Sequence, residues 1–206
     1  MIRRLMLAWL CLIAFPAFAQ KPLPGPPEPP VVVRVEVVTS EGRFVIELEN
    51  ARAPGTARNF LRYVDQRKLD GMKFYRVVKV ADQFGFIQFG ADGVRAKILP
   101  PIPHEPTSKT GVTHVDGTIS LARLAPGTGG SEFTIMVGDQ PSFDADLTQP
   151  GDNLGYAAFG RVIEGREVIL KIFDAPVSPT ASNRGSFKGE IPIKPVTIIS
   201  ARRVVP

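Results

Sequence analysis

Two residues stand out for the chemistry they could do. Arg76 sits among apolar neighbours in Phe74-Tyr75-Arg76-Val77-Val78, and Gln88 lies inside a second apolar run, Gly85-Phe86-Ile87-Gln88-Phe89-Gly90. A guanidinium is always charged and presents a rigid planar fork of donors, so it can hold an acceptor in a fixed geometry without covalent chemistry. An amide supplies one donor group and one acceptor for orienting such a partner. The competing reading is an ordinary strand with Arg76 on its solvent face, because charged residues are almost never fully buried without a partner. On these residues alone both readings stay open.

Other chemistries find little support. The two histidines, His104 and His114, lie in a polar stretch, and His104-Glu105 is not followed by a second histidine at helical spacing, so the zinc-protease pattern fails. No G-x-S-x-G is present, and Ser131 has no histidine near it in the sequence. Gly127-Thr128-Gly129-Gly130 joins two apparent strands and does not open a helix, which argues against a phosphate cradle. No Lys/Arg run or basic-aromatic stripe suggests nucleic acid.

The elements that would carry Arg76 and Gln88 read as mostly β. Alternation over 34–37 and 43–48, with Glu41-Gly42 between them, predicts a hairpin. Ala57, Phe60, Leu61 and Val64 fall on one face of a helix over 53–65, with Pro54 and Thr56 near its start. Strands are expected at 72–79, 85–90, 117–122, 132–137, 156–162 and 196–201, with a second helix at 165–173 and a long polar loop at 92–116. Short strands without a βαβ rhythm predict a closed eight-stranded antiparallel barrel capped by two helices.

The N-terminus has a different character. Met1-Ile2-Arg3-Arg4, an apolar run from Leu5 to Phe15 and the small-residue pattern Ala17-Phe18-Ala19 form a secretory signal peptide over 1–19. A Pro-rich spacer follows over 20–30, and the domain is expected over 31–206. The single Cys11 lies in the signal, where Trp9 and Leu10 make a poor lipid-attachment site. Cleavage removes Arg3 and Arg4, lowering the formal charge of +5 by two, and takes away the only cysteine and only tryptophan. The exported domain then depends on its core alone, which about 170 residues suffice to build.

Five segments in order resemble the cyclophilin-type peptidyl-prolyl cis-trans isomerases. Phe74-Tyr75-Arg76-Val77-Val78 is similar to the family's F-H-R strand, and Gly85–Gly90 to its G-F-x-Q-G-G motif. Gly117-Thr118-Ile119-Ser120-Leu121-Ala122, Ser131-Glu132-Phe133-Thr134-Ile135 and Tyr156-Ala157-Ala158-Phe159-Gly160-Arg161-Val162 resemble its later strands. The resemblance implies the same barrel and an isomerase needing no cofactor and no metal. Arg76 would donate to the proline nitrogen of the twisted X-Pro bond, and Gln88 would order the guanidinium or the substrate carbonyl. It further implies that Phe86, Phe133 and Phe143 form apolar walls and that the backbone at Ala122 and Arg123 pairs with an extended peptide. Glu132, Thr134 and Tyr156 would complete the groove.

Some positions depart from the pattern. Thr134 stands where a second phenylalanine floors the proline pocket, and Arg123 replaces an asparagine. Glu132 replaces a glutamine, adding a charge that could pair with Arg76 or Arg123, and Tyr156 falls where many members have histidine. Ser142 takes a Trp or Phe position, which implies weak cyclosporin binding. Phe84, Gly85 and Phe86 all compete for one pocket-lining position. The expectation is a monomeric periplasmic isomerase of folding exported proteins, without a membrane anchor once the signal is cut. Its substrates would be proline-containing polypeptides, handled at a reduced rate. The alternative is a non-catalytic or weakly catalytic proline-peptide-binding, chaperone-like module.

Overall fold

In the computed structural model, which describes residues 32–204, the first alternating stretch becomes a hairpin of β1 (Val33–Thr39) and β2 (Gly42–Leu48). Val35 and Val37 on β1 and Phe44, Ile46 and Leu48 on β2 are buried, as side chains of one strand alternate between faces. The Thr39 hydroxyl donates to the Gly42 carbonyl at 2.8 Å and accepts the Glu41 N–H at 3.1 Å, which ties the turn. The expected signal at 1–19 and spacer at 20–30 lie outside the described residues.

Six further strands complete a closed barrel: β3 (Lys73–Ala81), β4 (Phe84–Gly90), β5 (Thr118–Leu121), β6 (Glu132–Val137), β7 (Ala157–Glu164) and β10 (Val196–Arg203). Two short strands outside it, β8 (Val177–Ser178) and β9 (Ile191–Pro192), pair as a separate ribbon that the sequence reading did not anticipate. Around the barrel the order is β1-β10-β3-β4-β6-β5-β7-β2, antiparallel at every step and closing β2 on β1. Closure leaves no sheet edge to aggregate.

Aromatic rings fill the interior. Phe74 and Phe89 lie 4.9 Å apart between centroids, Phe89 and Phe133 5.5 Å, and Phe133 and Phe159 6.1 Å. Such pairs contribute about 0.5–1.5 kcal/mol each beyond the area they bury. A barrel packed this way has no room for a ligand inside, so any substrate must bind on its outer surface.

Helices α1 (Pro54–Asp65) and α3 (Arg166–Phe173) cover the barrel, as expected. On α1 the predicted Ala57, Phe60, Leu61 and Val64 are buried, together with Tyr63. Its N-cap, Ala53, supplies no side-chain bond. The cap comes from Glu105, whose carboxylate accepts the Gly55 N–H at 3.0 Å, the Thr56 N–H at 2.7 Å and the Thr56 hydroxyl at 2.7 Å. A carboxylate there satisfies orphan donors and complements the helix dipole, worth about 0.5–2 kcal/mol.

Glu105 belongs to the long segment 92–116, which is less irregular than the sequence suggests. It contains a 3-10 turn at Arg95–Lys97 and a one-turn helix, α2 (Thr107–Thr110). Leu99 N–H donates to the Tyr63 hydroxyl at 2.9 Å, and Ile102 N–H to the Gly129 carbonyl at 3.0 Å. The length of the segment is spent tying α1 to the glycine-rich turn between β5 and β6. Among the described residues no helix is long and apolar enough to cross a membrane.

Candidate active site

A break in strand pairing aims Arg76 outward. Phe74 pairs with Phe89 and Arg76 with Gln88, with a register shift of the β-bulge kind between them. Strict alternation would put Phe74 and Arg76 on one face. With the extra residue, Phe74 and Val77 both enter the core, while Tyr75 and Arg76 both reach polar partners on the outer side. Bulges commonly re-aim side chains in this way.

A second shift, between Lys79 and Ala81, settles which aromatic of β4 lines the site. Gly85 has φ +152°, and a Cβ there would lie 1.9 Å from the Val78 carbonyl oxygen, so only glycine fits. Phe84 is exposed and Phe86 faces the groove.

The groove, of about 420 Å³, lies outside the barrel. Arg76, Phe86, Gln88 and Thr134 reach it from β3, β4 and β6, and Glu132 from the start of β6. Ala122 and Arg123 contribute just after β5, and Phe143 and Tyr156 before β7. Phe133 does not join them. It is fully buried, with its ring 5.2 Å from Phe60 and 5.5 Å from Tyr63. Glu132 and Thr134 face outward on β6, so the residue between them must face the core.

One chain of hydrogen bonds runs through the polar side of the groove. Arg76 Nη1 donates to Gln88 Oε1 at 3.1 Å, Gln88 Nε2 to Tyr75 Oη at 2.6 Å, and Tyr75 Oη to Glu132 Oε2 at 2.8 Å. Glu132 Oε1 accepts the Asp92 N–H at 3.0 Å and the Ser131 hydroxyl at 3.3 Å. The expected pairing of Glu132 with Arg76 or Arg123 does not occur, because the tyrosine in the F-H-R position reaches it first. Burial pushes the Glu132 carboxyl above its usual range. Burial, and then the neighbouring Glu132, push the Tyr75 phenol up as well, so it stays a donor. The chain therefore fixes which way the Gln88 amide faces, with its oxygen toward Arg76.

Arg123 turns its side chain away from this chain. It pairs with Asp152 through two bonds of 2.5 and 2.9 Å, donates to the Gly155 carbonyl, and lies 5.4 Å from the Tyr156 ring centroid. The hydrogen bond from Arg123 holds the Asp152 carboxyl below its usual range. What Arg123 offers the groove is its backbone, whose N–H and C=O make no hydrogen bond among the described residues. Phe86 and Phe143 meet edge to face at 5.6 Å, and Phe143 lies 5.2 Å from Tyr156.

Sequence reasoning missed four features of the site. Tyr75, given no role of its own by the sequence, links Gln88 to Glu132 in the hydrogen-bond chain. Glu190 accepts from Arg76 Nε at 2.6 Å, and the Phe187 ring lies 3.9 Å from the guanidinium carbon. Both lie more than a hundred residues along the chain from Arg76, and no local pattern announces them. Under the groove, His114 Nδ1 donates to Asp144 Oδ1 at 2.6 Å and its Nε2 accepts from the Ser120 hydroxyl at 2.9 Å, as a neutral imidazole requires. Burial lowers the His114 pKa despite Asp144. The order Ser-His-Asp resembles a hydrolase triad, but Ser120 is 0 % exposed and no substrate reaches it.

Comparisons with known proteins identify the family of the chain. Residues 34–203 match the family model described as cyclophilin type peptidyl-prolyl cis-trans isomerase/CLD. The chain is 36% identical over 170 residues to the peptidyl-prolyl cis-trans isomerase cyp18 of Streptomyces antibioticus, covering 82% of this chain and 96% of that one. It is 34% identical over 172 residues to a peptidyl-prolyl cis-trans isomerase of Acinetobacter baylyi, covering 82% and 84%. A crystal structure of a Cryptosporidium parvum cyclophilin type peptidyl-prolyl cis-trans isomerase, in the presence of the dipeptide Ala-Pro, superposes with a TM-score of 0.66. Its sequence identity is 22%, and the match covers 84% of this chain and 99% of that one. The chain belongs to the cyclophilin-type peptidyl-prolyl cis-trans isomerase family.

Proposed function

We propose that the groove binds X-Pro segments of exported polypeptides and that Arg76 is the catalytic residue. Amide resonance holds the X-Pro bond planar behind a barrier of about 18–20 kcal/mol. In the twisted state the proline nitrogen regains its lone pair. A donor aimed there lowers the barrier without a nucleophile, because the interaction exists only in the transition state. The observation that carries this reading is the state of the Arg76 fork. Nε is taken by Glu190 and Nη1 by Gln88, while Nη2 has no partner among the described residues, and Arg76 is a lining residue of the groove.

The remaining residues position the peptide. The free backbone groups at Arg123 pair with an extended chain, and the proline ring rests against Phe86 and Phe143. The relative solved in the presence of Ala-Pro supports a proline-containing ligand for this groove. Thr134, where the family's aromatic floor would be, reduces apolar contact by about 1–3 kcal/mol, or roughly tenfold to a hundredfold in rate if felt only in the transition state. A slow isomerase results. Residues 1–19 direct the protein out of the cytoplasm, where newly exported chains supply its substrates.

The test is acceleration of cis-to-trans exchange in a short X-Pro peptide. Arg76→Ala, with its circular dichroism unchanged, should lose about a hundredfold in kcat/KM. No acceleration by the parent protein, with peptide binding intact, would leave only a binding module. The export reading is tested by fractionating cells expressing the full chain. A periplasmic form beginning at Gln20 is expected, and an uncut cytoplasmic form contradicts it.

A further inference from the structure

Besides the residues already given roles, the segment from Asn183 to Glu190 reaches the groove through Phe187. It is moored at both ends. Asn183 Nδ2 donates to Asp92 Oδ1 at 2.6 Å and Arg184 donates to the Asp92 carbonyl, while the Val77 N–H donates to the Glu190 carbonyl at 2.8 Å. Asp92 is the residue whose N–H holds Glu132, and Val77 is the neighbour of Arg76. The segment is thus tied to the same backbone that carries the polar chain of the groove.

Between these moorings Phe187 is a lining residue of the groove, half-buried, with φ +63°. A left-handed backbone at a bulky aromatic is uncommon and unfavourable, and it persists only where surrounding contacts over-determine it. Here it places the ring against the Arg76 guanidinium at 3.9 Å, closer than Phe86, whose ring lies 5.2 Å from it. Stacking on a guanidinium plane leaves its in-plane N–H groups free to donate. The next turn closes with Glu190 N–H donating to the Phe187 carbonyl at 3.0 Å, and the Glu190 carboxylate takes Arg76 Nε.

The geometry points to Phe187 as a substrate-contacting aromatic wall of the proline groove, and to Glu190 as a positioning residue for Arg76. This rests on the reading of Arg76 as the catalytic group. The position where the β6 motif would have supplied aromatic surface carries Thr134. Phe187 restores a ring from a distant part of the chain, on the side of the groove where the guanidinium lies. Glu190 and Gln88 together hold two of the three guanidinium nitrogens, which leaves the third, Nη2, as the donor available to a ligand in the groove that Arg76 lines. The ligand class is an X-Pro peptide whose proline ring rests against Phe86 and Phe143, with Phe187 walling the guanidinium side of the same groove.

The experiment compares full-length Phe187→Ala, Phe187→Tyr, Glu190→Ala and Glu190→Gln with the parent and with Arg76→Ala. It reads peptide Kd by titration and kcat by exchange spectroscopy, with thermal unfolding recorded for each. Phe187→Ala should raise the X-Pro peptide Kd about tenfold, and Phe187→Tyr should restore it. Glu190→Ala should lower kcat about tenfold with Kd unchanged, and Glu190→Gln should recover most of it, since its carbonyl still accepts the Nε–H. A Kd that is unchanged or tighter in Phe187→Ala overturns the wall, as does failure of Phe187→Tyr to restore binding. A kcat unchanged in Glu190→Ala, or not recovered in Glu190→Gln, overturns the positioning role. If Arg76→Ala keeps the parent rate, the reading beneath fails, and the Kd arm still decides Phe187.

Discussion

Two hydrogen-bond chains lie side by side, one opening on the groove and one sealed beneath it. The first runs Arg76–Gln88–Tyr75–Glu132 and ends in a groove-lining guanidinium that keeps one nitrogen without a partner among the described residues. The second runs Ser120–His114–Asp144, has the residue types of a hydrolytic triad, and is closed off. Residue type would favour the second as the chemical centre, and access favours the first. The two are mechanically connected. Phe143 packs 5.9 Å from the His114 ring and also lines the groove, next to Asp144 that His114 holds. The buried chain is a strut for a groove wall, and the open chain carries the donor that the proposed chemistry requires.

Breaking the strut should have the largest effect on stability. His114→Leu leaves the Asp144 carboxylate and the Ser120 hydroxyl without their partner and should cost about 2–4 kcal/mol in urea unfolding. Breaking the open chain at Gln88→Ala should leave the urea midpoint close to the parent's, yet lower kcat/KM about tenfold by freeing the Arg76 fork to wander. A stability loss as large as that of His114→Leu would erase the distinction between the two chains.

Tyr75→Phe is gentler. It removes one donor to Glu132 and one acceptor for Gln88, and a threefold to fivefold loss of kcat/KM is expected, about 1 kcal/mol. The pH dependence separates the chains further. His114 is held below its ordinary value of 6.5 by burial, so the unfolded chain takes up its proton first. Stability is therefore full above about 6.5 and falls as pH drops from there toward the lowered folded value. His104 is also lowered by burial and adds to the slope. Glu132 has the opposite sign, its raised value giving stability below 4.5 that is lost as pH rises through the folded value. Urea midpoints from pH 8 to 5 should decline in the parent and decline less in His114→Leu.

Legibility in the sequence followed distance along the chain. The barrel strands were readable because alternation and turn residues are local signals, whereas the relation of Gln88 to Arg76 came only from the family resemblance, and the pairing of β3 with β4 places the two side by side. Phe133 was misplaced because a motif names a residue without its face, and alternation on β6 sends it inward. Tyr75 escaped notice because a bulge, invisible in residue order, turns it outward beside Arg76. Glu105, Phe187 and Glu190 were unreadable, because their partners are supplied by tertiary closure of segments 49 to 114 residues apart. Loop residues that act on distant elements carry no periodicity of their own.

The central claim is that Arg76 acts on the twisted bond and not on binding. It is tested most directly by measuring the cis-trans interconversion rate of an X-Pro peptide while bound, at saturation, in the parent and in Arg76→Ala. The bound-state rate should fall about a hundredfold in the variant, with Kd altered less than threefold. A variant that binds far more weakly but interconverts bound peptide at the parent rate would contradict the account and make Arg76 a binding residue.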